Sequence, residues 1–260
     1  KGPGTLHLKN FPTSSIEIEA GNVLYNYNQK NTKFTKQSIS GEGGVLFTGQ
    51  SGGYFTFRQN DFTGSLTYSG DTVVRLDPPV TFWYQGSLWL EKSDVLPHTT
   101  VLKLLSGKIY TRAQHGAGLT IAGLSGNFGT FITTDQSYAL LQKWTIDVPE
   151  GESYTYAGVI GSDGTSVGQN NIQLLKTGPG TQTLSGANTL VGAVTVAGGT
   201  LLAANTSGSA TGLGNTVTIH AGAALGGNGT VLSSNVVYKS DAALLPGGSG
   251  AAGTPTFGGN

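Results

Sequence analysis

The feature of this sequence that most constrains its fold is a short phrase that recurs in the second half of the chain. VTVAGGTLLAA begins at Val194, VTIHAGAALGG begins at Val217, and VYKSDAALLPGG begins at Val237. Each copy contains a short alternating segment, a glycine-bearing corner and a second apolar run, which is the pattern of half-buried strands. Successive copies start about 20–24 residues apart, a spacing typical of one coil of a solenoid.

Fainter copies of this unit occur in the first half of the chain. NDFTGSLTYSGDTVVRL at 60–76 aligns with NTLVGAVTVAGGTLLA at 188–203. KGPGTLHL at 1–8, GGYFTF at 52–57 and GPGTQTL at 178–184 precede the glycine corners at Gly21, Gly70 and Gly198 by nearly the same distance along the chain. We therefore predict one architecture for both halves, with about 22 residues per coil and roughly 12 coils.

A unit of this size cannot bury its apolar face alone, so the copies are expected to stack. Stacking pairs each strand in parallel with the strands of the coils before and after it, about 4.8 Å away. Glycine and asparagine are expected at the corners, where the backbone adopts positive φ at low cost. The predicted corner residues are Gly2, Gly4, Gly178, Gly180, Gly186, Asn188, Gly192, Gly198, Gly226, Gly227 and Asn228.

The pattern therefore predicts an all-β fold, a parallel β-helix or β-solenoid. An antiparallel β-sandwich is the alternative, because it too uses short strands and glycine turns. The recurring internal spacing favours the solenoid. The composition agrees, since 42 of the 260 residues are Gly and only 11% are charged, which is unlike a protein built from long helices.

Charge divides the chain into two regions. Beyond Asp163 the only charged residues are Lys176, Lys239 and Asp241. We predict a divergent β-helix region with an aromatic-rich segment at 1–155, followed by regular repeats rich in Gly, Thr and Asn at 156–260.

The charge balance and the missing residue types exclude several classes of function. The 14 basic residues balance the 14 acidic ones, so no nucleic-acid partner is expected. The absence of Cys excludes disulfides and thiolate chemistry. The absence of Met, even at position 1, predicts a trimmed piece of a longer translation product. No long apolar run is present, so this segment is not expected to contact a membrane.

The stretch from Lys176 to Leu201 resembles a known family, the autotransporter-associated β-strand repeat, also called the passenger-associated transport repeat. The running text of that family is K-x-G-x-G-T-L-x-L-S-G-x-N-T-Y-x-G-x-T-x-V-x-x-G-T-L, and KTGPGTQTLSGANTLVGAVTVAGGTL keeps its glycine frame. The departures are Gln182 for Leu, Leu190 for an aromatic residue and Val194 for Thr. The close resemblance covers about 156–260.

The resemblance implies a right-handed parallel β-helix that is secreted or bound to the outer cell surface. It implies a structural function as a passenger rod, stalk or fibre subunit. The sequence has no HxxxH or HExxH spacing and no phosphate-binding loop, so no enzymatic activity, cofactor or metal is expected. Neither end of the chain carries a polar cap, so the expected partners are the rest of a longer passenger chain or copies of this chain stacked end to end.

A carbohydrate-binding adhesin or a polysaccharide-degrading β-helix enzyme is the alternative function. The segment PPVTFWYQGSLWLEK places Phe82, Trp83, Tyr84 and Trp89 close together in the chain, and exposed aromatic rings stack on sugars. These four residues form the candidate binding patch for a carbohydrate or cell-surface ligand, although rings that fill the core explain them as well. The acidic segment DVPEGESY at 147–154 is interpreted as a solvated loop.

Overall fold

The computed structural model describes residues 5–8, 15–21, 23–28, 32–49, 54–57, 62–76, 86–112, 118–135, 140–164, 168–248 and 253–258. These residues form 29 β-strands and no helix, and so contain no helix long and apolar enough to cross a membrane. The strands are β1 (Thr5–Leu8), β2 (Ile16–Ile18), β3 (Val23–Asn28), β4 (Thr32–Phe34), β5 (Ile39–Gly41), β6 (Gly44–Gly49), β7 (Tyr54–Phe57), β8 (Leu66–Tyr68), β9 (Thr72–Leu76), β10 (Ser87–Leu90), β11 (Val101–Ser106), β12 (Lys108–Thr111), β13 (Gly118–Ile121), β14 (Gly123–Gly126), β15 (Phe131–Asp135), β16 (Gln142–Asp147), β17 (Ser153–Tyr156), β18 (Val159–Ile160), β19 (Gly168–Gln169), β20 (Ile172–Thr177), β21 (Thr181–Leu184), β22 (Val194–Val196), β23 (Thr200–Ala203), β24 (Thr216–Ile219), β25 (Ala224–Gly227), β26 (Thr230–Val231), β27 (Asn235–Tyr238), β28 (Ala243–Pro246) and β29 (Thr256–Phe257).

The strands form three faces around one core. The first face is an 11-stranded sheet of order β1-β3-β6-β9-β11-β14-β17-β21-β23-β25-β28. The second is a 7-stranded sheet of order β18-β15-β12-β10-β7-β4 with β19 beside β15, and the short pair β26-β29 comes later in the chain. The third holds the 3-stranded sheet β2-β5-β8 and then the 6-stranded sheet β13-β16-β20-β22-β24-β27. Neighbours in each sheet come from successive coils, so the chain winds from face to face.

The predicted parallel β-helix is therefore confirmed, and the antiparallel sandwich is wrong. Among the described residues, the β15–β19 pair is antiparallel and the other strand pairs are parallel. Right-handed winding, which the resemblance implies, is the usual sense of parallel crossovers. The 11 strands of the longest sheet give a rod of roughly 48 Å at about 4.8 Å per step.

The coils differ in length more than the predicted value of about 22 residues suggests. Thr5 pairs with Val23 in the next coil, whereas Gly126 pairs with Tyr156, so the second of these coils is much the longer. The coil length is free to vary because the strands alone must stay in register, while the connections between faces lie on the surface. Short coils pass directly from one face to the next, and long coils contain longer surface connections between strands.

Two of the sequence alignments are corrected by the register. Val194 pairs with Val217 as predicted, but Val217 pairs with Val236 and not with Val237. In addition, Tyr54–Phe57 lies in the 7-stranded sheet, whereas Thr181–Leu184 lies in the 11-stranded one, so the two segments are not equivalent. Each contains a short run of alternating residues, and such a run does not specify which face of the coil it occupies.

The interior is filled by side chains along the whole described length. In the first coils the filling is aromatic: the rings of Phe34 and Phe57 stack with centroids 4.2 Å apart, and Phe47 meets Phe34 edge-on at 5.9 Å. In the last coils Val, Leu and Ala take these places, as at Val217 and Leu201. The core is continuous because successive coils place inward residues in register.

Candidate functional site: the corners of residues 174–203

Lys176 holds two successive corners together from inside the rod. It lies in β20, in register with Ile146 before it and Val196 after it, and its side chain is fully buried. Its ammonium donates hydrogen bonds to the carbonyls of Gly178 at 2.9 Å and Gly198 at 3.1 Å, and also to that of Thr177. The ammonium therefore satisfies carbonyls that the sharp corners leave outside the strand ladders.

Burial lowers the pKa of Lys176 to about 8, because removal from water disfavours the charged form. The nearby carboxylate of Asp147 acts in the opposite direction and less strongly. Asp147 itself accepts a hydrogen bond from Thr177 Oγ1 at 2.8 Å. At this corner the Lys176 ammonium therefore lies inside the rod on backbone carbonyls, and the Asp147 carboxylate lies on the solvent side.

Gln182 supplies hydrogen bonds where the backbone pairing of the 11-stranded sheet is interrupted. β14 and β17 share a single register pair, Gly126 with Tyr156, so neighbouring backbone groups lack ladder partners. The buried amide of Gln182 accepts from the Leu124 N–H at 3.1 Å and donates to the Leu124 carbonyl at 2.9 Å and the Tyr154 carbonyl at 3.2 Å. A side chain from β21 therefore replaces the missing backbone bonds, which a Leu cannot do.

Asn188 links three coils where the 7-stranded sheet ends. Its buried Oδ1 accepts a hydrogen bond from the Ile160 N–H at 2.7 Å, and its Nδ2 donates to the Ala210 carbonyl at 2.6 Å. The network continues inside the next coils, where Thr211 meets Ser233 at 3.0 Å and Ser233 donates to Asn215 at 2.7 Å. Buried polar side chains thus continue this face between β18 and β26.

The predicted corner glycines serve two different needs. Gly178 and Gly227 have positive φ, at 71° and 103°. Gly186 has no positive φ, but a Cβ there would lie 1.9 Å from the Gly158 carbonyl oxygen, so the coils approach too closely for a side chain. A Cβ at Gly180, Gly192 or Gly226 would likewise lie too close to a backbone oxygen. The others differ: Gly198 has only ordinary contacts, Asn228 is exposed, and Gly2 and Gly4 lie outside the described residues.

The structure places Trp89, from the candidate aromatic patch, in a buried stack. Trp89 is 6% exposed, its ring is parallel to that of Tyr110 at 4.5 Å, and its Nε1 donates to Ser87 Oγ at 2.8 Å. Phe82, Trp83 and Tyr84 lie outside the described residues. Trp89 therefore offers no open stacking surface for a sugar.

Sequence reasoning missed the buried ion pair beside this stack. Lys108 Nζ lies 2.5 Å from Asp163 Oδ2, with side chains 10% and 0% exposed, and Tyr110 donates to the same carboxylate at 3.2 Å. Asp163 follows β18 and reaches back over the outer side of β12. No local signal links residues that are 55 positions apart.

The acidic segment at 147–154 presents its carboxylates to solvent. Asp147, Glu150 and Glu152 are exposed, and Glu152 accepts a hydrogen bond from the Tyr154 hydroxyl at 3.1 Å. Within the described ranges, no group of three or more His, Cys, Asp or Glu side chains could hold a metal ion.

Comparison with known proteins assigns the central segment. The model of the passenger-associated-transport-repeat family matches residues 174–203, the stretch that contains Lys176, Gln182 and Asn188. The resemblance inferred from the residues is confirmed for this segment. That family is a structural passenger repeat and not an enzyme family. No curated protein matches the chain.

Proposed function

We propose that this chain is a structural segment of a passenger-type protein, a rod that acts outside the cell or on its outer surface. The observation that carries the proposal is the 11-stranded parallel sheet, which runs from Thr5–Leu8 to Ala243–Pro246 over a filled core. The matched repeat supports an exported location, because such repeats occur in autotransporter passengers. A stack of coils resists bending since each strand is bonded to the coil before and the coil after it.

The proposed partner at the C-terminal edge is another coil, either of a longer passenger or of a second copy. Within the described part of the chain β28 pairs with β25 alone. The Ala243 and Gly247 N–H groups both donate toward the β25 side, so the alternate residues Leu244 and Pro246 face away from it. Pro246 has no N–H, which leaves the Leu244 N–H as the outward donor of this edge.

Electron microscopy of the purified chain across a dilution series tests which partner is used. End-to-end stacking predicts filaments that lengthen with concentration and that are abolished by Leu244→Pro, which removes the outward donor without removing a bond to β25. Leu244→Ala is the matched control and should leave the filaments intact. Isolated short particles at every concentration would contradict stacking of copies. The rest of a longer passenger chain would then be the partner.

A further inference from the structure

The ion pair of Lys108 and Asp163 lies among aromatic rings on the outer side of the 7-stranded sheet. The Lys108 ammonium lies 2.5 Å from Asp163 Oδ2 and 5.8 Å from the centre of the Phe131 ring. The Tyr110 hydroxyl donates to the same Oδ2 at 3.2 Å, and the Tyr110 ring stacks on that of Trp89 at 4.5 Å. The paired side chains are 10% and 0% exposed, so little water reaches the two charges.

The Lys108 ammonium has fewer acceptors than the other buried lysine of the rod. An ammonium carries three N–H donors. The Lys176 ammonium donates to three backbone carbonyls. Within the described residues, the Lys108 ammonium has Asp163 as its one hydrogen-bond acceptor. A buried ion pair is well stabilised only when further hydrogen bonds satisfy its remaining donors, so the charged form of this pair is poorly stabilised.

The uncharged form of the pair is chemically reactive. Transfer of one proton from Lys108 Nζ to Asp163 Oδ2 leaves an amine in contact with a carboxylic acid, and burial favours the loss of both charges. An uncharged lysine amine is a nucleophile. Because the fold holds the amine against the acid, the reaction of the two groups is intramolecular and does not depend on a chance encounter.

We infer that Lys108 and Asp163 condense to an intramolecular amide. Lys108 Nζ forms a bond to Asp163 Cγ, the bond from Cγ to Oδ2 breaks, and Oδ2 leaves as water. Two of the three ammonium protons leave in that water and the third stays on the amide nitrogen, so no further reactant is needed. Tyr110 acts as general acid, because its hydroxyl donates to the leaving oxygen, and it regains a proton from the nitrogen.

The amide would join β12 covalently to the segment after β18, across residues that are 55 positions apart. It would fasten the coils of β12, β15 and β18 to each other, whichever partner the ends of the rod use. The ion pair of Lys103 and Asp71 is the internal contrast. Its side chains are 40% and 41% exposed, so water solvates both ions and this pair should remain ionic.

Mass spectrometry of the intact, denatured chain tests the inference. We expect a mass one water below the value calculated from the sequence, and the absence of Cys means that no disulfide alters that value. Trypsin should fail to cleave after Lys108 and should release residues 104–112 joined to residues 144–176. Cleavage after Lys103 should be normal, because its ion pair is exposed.

Two results would overturn the inference. The first is a full mass after prolonged incubation at neutral pH, with normal cleavage after Lys108. The second is a loss of water confined to residues 144–176. Cyclisation of Asp163 onto the backbone nitrogen of Gly164 also releases water, but it leaves Lys108 open to trypsin.

Two variants test the roles of the reacting groups. Lys108→Arg keeps a cation beside Asp163, but a guanidinium stays protonated and does not attack, so this variant should have its full calculated mass. Tyr110→Phe should slow the condensation about a hundredfold, so that purified chains still include full-mass molecules whose share falls during storage. Loss of water from Lys108→Arg would contradict the amide, and an unslowed Tyr110→Phe would contradict the role of Tyr110.

Discussion

The two regions of this rod fill the same kind of coil in different ways. In the first region aromatic rings pack against each other, as Phe47 packs edge-on against Phe55 at 5.4 Å and Phe57 against Phe62 at 5.1 Å. In the second region the core side chains are smaller, such as Leu201 and Val217, and hydrogen-bonded polar side chains such as Asn188 are buried beside them. A solenoid thus needs a filled interior and parallel registers, but it does not need one fixed kind of filling.

The difference follows the second face of the coil. Up to β18 this face is a regular sheet, so large inward rings are held between strands. After β19, the described residues form no further strand on this face until β26, and backbone groups there bond to side chains such as Asn188, Ser209 and Asn215. Polar side chains here satisfy the backbone hydrogen-bonding groups that neighbouring strands satisfy elsewhere. The first region should therefore be more sensitive to lost volume than the second, and the second region more sensitive than the first to lost side-chain hydrogen bonds.

The largest effect is expected from removing an aromatic ring in the first region. Phe47→Ala should lower the free energy of unfolding by about 3–5 kcal/mol, because a fully buried ring leaves a cavity between Phe34 and Phe55. Urea unfolding followed by circular dichroism measures this change. Leu201→Ala, in the core of the second region, should cost less, about 2–4 kcal/mol, because its side chain is smaller. An equal or larger loss at Leu201 would break the comparison.

The next effect is expected from removing the amide that joins three coils. Asn188→Ala should cost about 2–3 kcal/mol, because it leaves the Ile160 N–H and the Ala210 carbonyl buried without partners. Hydrogen exchange should show faster exchange at Ile160. Asn228→Ala is the control, since Asn228 is exposed, and it should stay within about 0.5 kcal/mol of the parent. If both variants change the free energy of unfolding equally little, the buried polar side chains do not stabilise the second region.

A smaller loss is expected when Gln182 is replaced by the residue usual in the family. Gln182→Leu should cost about 1–3 kcal/mol, although Leu is the more apolar side chain, because both Leu124 backbone groups lose their partner. Gln173→Leu, at a half-buried outward position, should be nearly neutral and serves as the control. The measurement is the urea midpoint of each variant. A stabilising effect of Gln182→Leu would show that the backbone groups of β14 do not need the Gln182 amide.

The smallest effect is the pH dependence due to Lys176. The folded pKa of about 8 lies below the ordinary value of 10.5, so between these pH values the unfolded chain binds more protons and stability rises with pH. From pH 8 to pH 9.5 the gain should be on the order of 1 kcal/mol. Urea unfolding of Lys176→Met over the same range should lack this rise. A parent protein that loses stability through this window would contradict the account.

The sequence predicted the coil itself better than the placement of its parts. Spacing and alternation identified stacked parallel strands, because the coils repeat corners that need positive φ, as at Gly178 and Gly227. The one-residue error at Val236 arose because Val236 and Val237 are both apolar, so alternation does not fix the inward residue.

The site was less predictable, for a physical reason. Lys108 and Asp163 meet only because an excursion after β18 folds back over β12. The lengths of such excursions are not constrained by the repeat. Trp89 was recognised as an aromatic residue of interest, but its burial depends on Tyr110 from the next coil. Contacts between coils of unequal length leave no local pattern in the sequence.

The central claim, a continuous stack of parallel coils, is tested most directly by distances between spin labels. The chain has no Cys, so pairs of introduced cysteines can be labelled cleanly. Labels at Thr155, Lys103 and Val73, each paired with Leu245, lie four, six and seven steps apart in the 11-stranded sheet. The account predicts backbone separations of roughly 19, 29 and 34 Å, which increase linearly at about 4.8 Å per step. Distances that stop increasing, or that decrease as the step number grows, would contradict the stack.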